Sequence, residues 1–258
     1  MNLKSQTVVI TGSGSGIGLA FAEKCAQLKN HLILVQRKFK SDDEQKFLSL
    51  GALSVTCLQA DLTSREQIQN ICEQIKVKKI DVLFNNAGLL TGGLLEDQPL
   101  DQIYDMLHVN VNALIHLTHQ LLPQLIQQKS GYVINHASVS AVMHMPCAST
   151  YAAAKAAVWA FTDCLHHELK STGVGTLCLF TPGIKTKMFD QINDLYSKNM
   201  KVPDQTISTE QYVSQIVKAI EENKSNLYPT GATGVAFWAA TYAKTLFNFG
   251  LNQAFKGR

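Results

Sequence analysis

The sequence predicts a single α/β domain, a doubly wound parallel sheet with helices on both faces. Two observations carry that expectation. Short runs of β-branched and aliphatic residues alternate along the chain with longer segments whose apolar residues recur at helical spacing. The first of these runs also leads into a turn with four glycines between positions 12 and 18, and a helical pattern follows directly. Alternation of this kind gives parallel strands joined by right-handed crossovers.

Thr7–Ile10 is the first expected strand. The turn Thr11-Gly12-Ser13-Gly14-Ser15-Gly16-Ile17-Gly18 follows it, and a helix is expected over Ile17–Leu28. Gly12 can make the tight turn out of the strand, Gly16 lets the backbone approach a pyrophosphate, and Gly18 lets the helix pack closely on the sheet. An anion placed there faces free N–H groups and the positive end of the helix dipole. Leu32–Val35 forms the second strand and runs into Gln36-Arg37-Lys38. Ser54–Leu58 is the third, followed by Ala60-Asp61-Leu62 and a helix over Arg65–Ile75. Asp61 either faces a ligand or caps the helix that begins near Ser64.

Val82–Phe84 is the fourth strand and ends in Asn85-Asn86-Ala87-Gly88. The next helix, Leu100–Leu122, carries Asn110 and a near twin, Asn112. Tyr132–Asn135 is the fifth strand, with Ser138-Val139-Ser140 just beyond it. A helix over Tyr151–Leu169 opens with Tyr151-Ala152-Ala153-Ala154-Lys155. Thr176–Phe180 is the sixth strand, followed by Pro182-Gly183-Ile184-Lys185-Thr186. Residues 186–208 are mixed and polar, with Asn193, Lys198, Asn199, Lys201 and Pro203, and are expected to be a mobile insertion over the substrate. A helix over Glu210–Ile220 and a short strand near Asn226–Tyr228 complete the pattern. With no Pro/Gly-rich linker and no repeat, residues 1–258 are assigned to one domain.

The apolar stretch 231–250, within an extension reaching 258, falls short of the roughly 20 residues a membrane span needs and is interrupted by Lys244. It is expected to be a helix packed on the body or on a partner subunit. A lid over an apolar substrate and a peripheral membrane contact are the less favoured readings.

Bulk properties narrow the function classes. Hydrophobic residues make up 46% of the 258 and charged residues 17%, which suits a sizeable core. A formal charge of +3, with no dense basic block, gives no reason to expect a nucleic-acid partner. Cys25, Cys57, Cys72, Cys147, Cys164 and Cys178 stand singly in apolar segments without a Cys-x-x-Cys, so reduced and mostly buried thiols are expected. The N-terminal apolar run is too short for a signal peptide, and cytoplasmic placement is expected. His116 and His119 lack a carboxylate or cysteine at ligand spacing, and no metal is expected.

Tyr151 and Lys155 stand four apart, on one face of a helix. A nearby ammonium favours phenolate, so Lys155 is expected to lower the tyrosine pKa from about 10. A tyrosine tuned this way can exchange a proton with a carbonyl or alcohol.

The ordered set Thr11–Gly18, Asn85–Gly88, Asn110, Ser138, Tyr151 with Lys155, and Pro182–Thr186 resembles the short-chain dehydrogenase/reductase family, from residue 5 to about 230. None of the four proposed catalytic positions departs from the family pattern. The resemblance implies a Rossmann-type sheet of about seven strands in the order 3-2-1-4-5-6-7. It also implies Tyr151 as general acid or base, Ser138 holding the substrate oxygen, and Lys155 tuning Tyr151 and binding the nicotinamide ribose. Asn110 would hold a water leading to solvent. Ser140 rivals Ser138, but the 13-residue gap from Ser138 to Tyr151 matches the family. The implied cofactor contacts are Gly12, Ser13, Ser15, Gly16, Ile17, Gly18, Asp61 and Leu62. They continue through Asn86, Ala87 and Gly88, then Tyr151 and Lys155, and on to Pro182, Gly183, Ile184 and Thr186. Family members are commonly dimers or tetramers built on the helices near 100–122 and 151–169, and a homodimer or homotetramer is expected.

The turn after the second strand selects the cofactor. Gln36 lies 18 residues after Gly18, where a carboxylate would serve NAD(H) and repel a 2′-phosphate. Gln36 cannot repel it. Arg37 can pair with the phosphate and stack on adenine, and Lys38 adds charge. NADP(H) is therefore expected over NAD(H), and with it reduction of a small-molecule carbonyl to an alcohol. The alternatives are an NAD-dependent alcohol dehydrogenase and a non-catalytic dinucleotide sensor or scaffold. Met143, Met145, Phe189, Phe237 and Trp238 suggest an apolar lining, hence an acyl, lipid-like or steroid-like substrate.

Overall fold

The computed structural model describes residues 1–196, 198, 199 and 206–255. Seven parallel strands form one sheet in the order β3-β2-β1-β4-β5-β6-β7. They are β1 Thr7–Thr11, β2 His31–Gln36, β3 Ser54–Gln59, β4 Val82–Asn85, β5 Gly131–His136, β6 Val174–Leu179 and β7 Asn226–Leu227. Their side chains alternate between two cores. Val8, Ile10, Leu32, Leu34, Val82 and Phe84 enter one, and Val9, Ile33, Val35 and Leu83 enter the other. Because both faces are covered, these strands read as near-continuous apolar runs.

Helices α1 (Gly16–Gln27), α2 (Asp43–Ser49) and α8 (Thr209–Glu221) contribute Phe21, Phe47, Tyr212 and Ile216 to the first core. Helices α3 (Arg65–Lys76), α4 (Leu100–Leu107), α5 (Leu114–Gln128) and α6 (Ser149–Glu168) follow in the chain. From α3, α5 and α6 come Ile71, Leu121 and Leu165 of the second core. Ser64 caps α3 by accepting from the Gln67 N–H. A capping box at Ser208 and Gln211 starts α8.

β1 lies between β2 and β4, so the chain reverses its direction of travel across the sheet there. In sheets of this kind ligands bind outside the carboxyl ends of the strands at that switch point.

Three expectations are corrected. The single helix over 100–122 is α4 and α5 joined by a π-helical turn at His108–Ala113, which contains Asn110. The polar segment 186–208 is not simply an insertion: Lys187–Tyr196 forms helix α7 and buries the Tyr196 side chain. Lys201 and Pro203 lie outside the described residues. The apolar stretch forms two helices, α9 (Gly231–Tyr242) and α10 (Lys244–Ala254). Among the described residues no helix is long and apolar enough to cross a membrane.

All six cysteines are free, with Cys25, Cys72, Cys147 and Cys178 buried, Cys57 half-buried and Cys164 exposed. The expectation of mostly buried thiols is met.

Candidate active site

The glycine turn closes on the end of β4. Gly12 has φ +66°, a left-handed conformation that glycine adopts without strain, and its N–H donates to Val35 O at 2.8 Å. A Cβ on Gly18 would collide with Gly12 O and Asn86 Nδ2, so the first turn of α1 can pack here only without a side chain. Asn86 Nδ2 donates to Thr11 O (2.9 Å) and Gly12 O (3.3 Å), while Thr11 Oγ1 accepts from the N–H groups of Asn86 and Ala87. Ser15 precedes α1 without a side-chain cap, and the first turn carries no acid. Its N–H groups therefore remain available to an anion. Ile17 and Leu62 bury their side chains in the two cores, so only their backbones can meet a ligand.

Beyond β5, Ser138 opens a short 3₁₀ turn, and its Oγ accepts from the Ser140 N–H at 3.1 Å. Ser138 is also the serine whose hydroxyl acts on the Tyr151 phenol, lowering its pKa; Ser140 instead stands behind it, its Oγ 3.3 Å from Ser138 Oγ. Lys155 is 3% exposed, with Nζ donating to His136 O at 2.6 Å and lying 5.7 Å from the Tyr151 ring centre. Asn110, freed from regular α-helical bonding by the π turn, clamps Leu89. Its Oδ1 accepts from Leu89 N at 2.7 Å and its Nδ2 donates to Leu89 O at 2.9 Å. A Cβ on Gly88 would lie 3.3 Å from Asn110 Oδ1 and 3.8 Å from Lys155 Nζ. Ser138, Tyr151, Lys155 and Asn110 thus converge at the carboxyl ends of β4 and β5.

The electrostatics differ from the expected pattern. Burial pushes the Tyr151 phenol up to about 12, and the Ser138 hydrogen bond only partly opposes this. Burial also pulls the Lys155 ammonium down to about 8. In this arrangement Tyr151 is a neutral phenol at physiological pH, because desolvation outweighs the opposing effect of Ser138.

The lysine shift is also a statement about stability. Its folded value lies below its ordinary 10.5, so the charged form is disfavoured by about 3 kcal/mol at pH 7. Below the folded value that penalty is complete, and it fades as pH rises towards the unfolded value. Lys155→Met removes the penalty and one hydrogen bond to His136 O, the latter worth about 1 kcal/mol. The variant is expected to be more stable than wild type at pH 7 by about 1–2 kcal/mol, with the gain lost as pH rises from about 8 to 10.5. Urea unfolding at pH 7 and at pH 10.5 measures this; a less stable variant at pH 7 contradicts it.

Around the second strand the turn is more structured than the sequence suggested. Gln36 Nε2 donates to Lys38 O (3.0 Å) and to Asp43 Oδ2 (3.1 Å), and its Oε1 accepts from Ser13 Oγ (3.3 Å). Asp43 Oδ2 also accepts from the Lys40 N–H at 2.9 Å. Sequence reasoning missed this carboxylate because the segment 37–45 showed no strand or helix period. Arg37 and Lys38 are exposed. Asp61 does not cap α3; its Oδ1 accepts from the Thr63 N–H and Oγ1, both at 2.9 Å. Those bonds, with a further contribution from the Arg37 charge, hold its carboxyl below the usual range.

Thr186 comes to the glycine turn from the far side: a Cβ on Gly16 would lie 3.4 Å from the Thr186 methyl. The Pro182–Thr186 segment is held by Ile207, which accepts from the Lys185 N–H and donates to Gly183 O, both at 3.1 Å.

His136 was also missed. Its ring stacks on Phe84, and Nδ1 meets Asn86 Oδ1 at 3.1 Å. Burial, and next the Lys155 charge, pull it down to about 3, so it is neutral. One residue thus ties Lys155, through its carbonyl, to the Asn86 side chain that holds the glycine turn. A histidine directly after a strand was the available signal.

The apolar lining is also revised. Phe237 is buried against Phe180 in a core cluster, and Trp238 stacks outward on Tyr242. Met143 packs on the same core cluster. Beside Tyr151 the apolar wall is instead Cys147, Ala148 and Tyr196 with Met145, Leu251 and Phe255. A surface cavity of about 750 Å³ lies at the other end of the sheet around Tyr132 and His166 and holds none of these residues.

Comparison with known proteins agrees with this geometry. The short chain dehydrogenase family model matches residues 6–197. An uncharacterized oxidoreductase of Staphylococcus saprophyticus is 32% identical over 206 residues, covering 78% of this chain and 81% of its own. The 3-oxoacyl-acyl-carrier-protein reductase FabG of Rickettsia bellii is 29% identical, covering 90% and 95%. A short-chain dehydrogenase from Sphingobium yanoikuyae, solved in complex with NADPH, superposes with TM-score 0.80 at 24% identity and covers 95% of each chain. With the family model spanning most of its length and the motif residues assembled at one end of the sheet, the chain belongs to the short chain dehydrogenase family of oxidoreductases.

Proposed function

We propose that the protein is an NADP(H)-dependent carbonyl reductase acting on an apolar ketone or aldehyde, with Tyr151 as proton donor. The observation that carries this is the convergence of Ser138, Tyr151, Lys155 and Asn110 beside a glycine turn whose helix N-terminus is left open. The residues present fit a dinucleotide phosphate. The turn offers uncapped N–H groups, Gly16 lies open except for the Thr186 methyl, and Arg37 is exposed at the end of β2. When bound, the cofactor supplies the hydride.

The chain's own residues handle the oxygen and its proton. Ser138 Oγ holds the carbonyl oxygen, and the Tyr151 phenol gives that oxygen its proton as negative charge develops there. A phenol kept neutral by burial carries the proton that the reduced carbonyl oxygen takes up. Lys155 binds the nicotinamide ribose and, with a water held at Asn110, returns a proton to Tyr151. Asp43 is the one observation that favours NAD(H), but its Oδ2 is already engaged by Gln36 and Lys40.

The apolar wall at Met145, Tyr196, Leu251 and Phe255 supports a hydrophobic substrate. So does the acyl substrate in the Rickettsia relative's name. NADPH oxidation with methyl ketones of increasing chain length tests this. The rate constant kcat/KM is expected to rise with each added methylene by up to about fourfold, matching about 0.8 kcal/mol. A preference for small polar sugars would sink the substrate assignment. Homo-oligomerisation through α4, α5 and α6 belongs to the same reading, since Leu100, Tyr104, Ile115 and Trp159 are exposed there.

A further inference from the structure

Helices α9 and α10 present two different apolar faces. Inward, Phe237 packs on Phe180, while Leu251 and Phe255 pack on the wall beside Tyr151. Outward, Val235, Trp238 and Tyr242 follow one another at helical spacing on α9, and Leu246 and Phe249 do so on α10. These side chains are 72%, 42%, 79%, 71% and 65% exposed. Isolated exposed apolar residues need no explanation, but five in consecutive helices form a patch. Within it Trp238 and Tyr242 are stacked at 5.5 Å between ring centres.

Charge indicates what covers it. Lys224 is paired with Glu222 at 2.6 Å, but from Pro229 to Arg258 the chain has three cations, Lys244, Lys256 and Arg258, and no Asp or Glu side chain. That segment alone carries +3, as much as the formal charge of the whole molecule. Lys244 is exposed at the junction of the two helices. Tryptophan and tyrosine over an apolar face, with cations and no carboxylates, is the composition that suits a lipid–water interface. Neither helix can span the bilayer, so contact is limited to its surface. A second copy of this chain would bring its own +3 segment against this one, which opposes self-association through the patch.

We infer that the outer face of α9 and α10 docks on an anionic phospholipid surface, while the inner face of α10 borders the path to Tyr151. The docking stands on exposure and charge. Only the idea that the apolar carbonyl arrives from the lipid rests on the function proposed above.

The test is sedimentation of the full chain with vesicles of phosphatidylglycerol and phosphatidylcholine, against phosphatidylcholine alone. Partitioning onto the anionic vesicles is expected to be at least about tenfold stronger, given roughly 1 kcal/mol per cation near such a surface, and to fall with added salt. The Leu246→Ser/Phe249→Ser variant is expected to lose about tenfold or more of that partitioning while still binding NADPH, which checks its fold. Lys244→Glu should weaken binding to anionic vesicles and leave behaviour with phosphatidylcholine unchanged. A wild type that stays in the supernatant with both vesicle types overturns the inference. So does a wild-type oligomer that the double serine variant splits, since the patch is then a protein contact. Ketone reduction without vesicle binding removes the docking and leaves the reductase reading intact; vesicle binding without reduction does the reverse.

Discussion

Tyr151→Phe is expected to bind NADPH as wild type does and to lose about 10²–10⁴-fold in kcat for ketone reduction, the range for a general acid. The substitution removes one hydroxyl from a half-buried ring and leaves the glycine turn, Asn86 and Thr186 untouched. The loss should therefore appear in kcat and not in cofactor affinity. Ser138→Ala is a weaker case, because Ser138 Oγ also accepts from the Ser140 N–H and caps the 3₁₀ turn. Retained turnover in the phenylalanine variant would show that the proton comes from elsewhere.

Arg37→Asp is expected to reverse the choice of cofactor. In wild type NADPH should bind at least about tenfold more tightly than NADH, a difference of about 1.4 kcal/mol. Arg37 is exposed, so its pairing with a 2′-phosphate is screened, and a preference of this modest size is reasonable. The variant exchanges an attraction for a repulsion. It also adds a carboxylate to a turn that already holds Asp43 and lies near Asp61. Isothermal titration of both proteins with both cofactors measures the change. Equal affinities in wild type would mean that Gln36 and Arg37 do not select the cofactor.

The sheet was legible in the sequence because its strands are buried on both faces. The expected Tyr132–Asn135 is β5, Gly131–His136, and the expected Asn226–Tyr228 is β7, Asn226–Leu227. The glycine turn, Asn85–Gly88, Ser138 and Pro182–Thr186 were legible because each follows closely on a strand, and the ends of parallel strands meet at one edge; Tyr151 and Lys155 were legible from their spacing on one helix face. What escaped was set by tertiary contact. Helix α2 is seven residues long, too short to show a period, and with it went the pairing of Asp43 with Gln36. The π turn at Asn110 leaves no mark in an apolar pattern. Lys155 was expected to lower the Tyr151 pKa, but spacing along a helix carries no information about desolvation, and desolvation dominates. Phe237 and Trp238 are neighbours in sequence with opposite fates, one in the core and one stacked outward, and composition could not separate them.

The central claim is that this chain moves a hydride from NADPH to a carbonyl carbon while Tyr151 protonates the oxygen. Mass spectrometry of the product after reaction with NADPH carrying deuterium at both nicotinamide C4 positions tests it most directly. One deuterium is predicted on the carbinol carbon, in alcohol formed in equal amount to the NADPH consumed, and none is predicted with Tyr151→Phe on the same timescale. Tight NADPH binding with no deuterium transferred to any ketone of the chain-length series would contradict it and leave a dinucleotide sensor on the same fold.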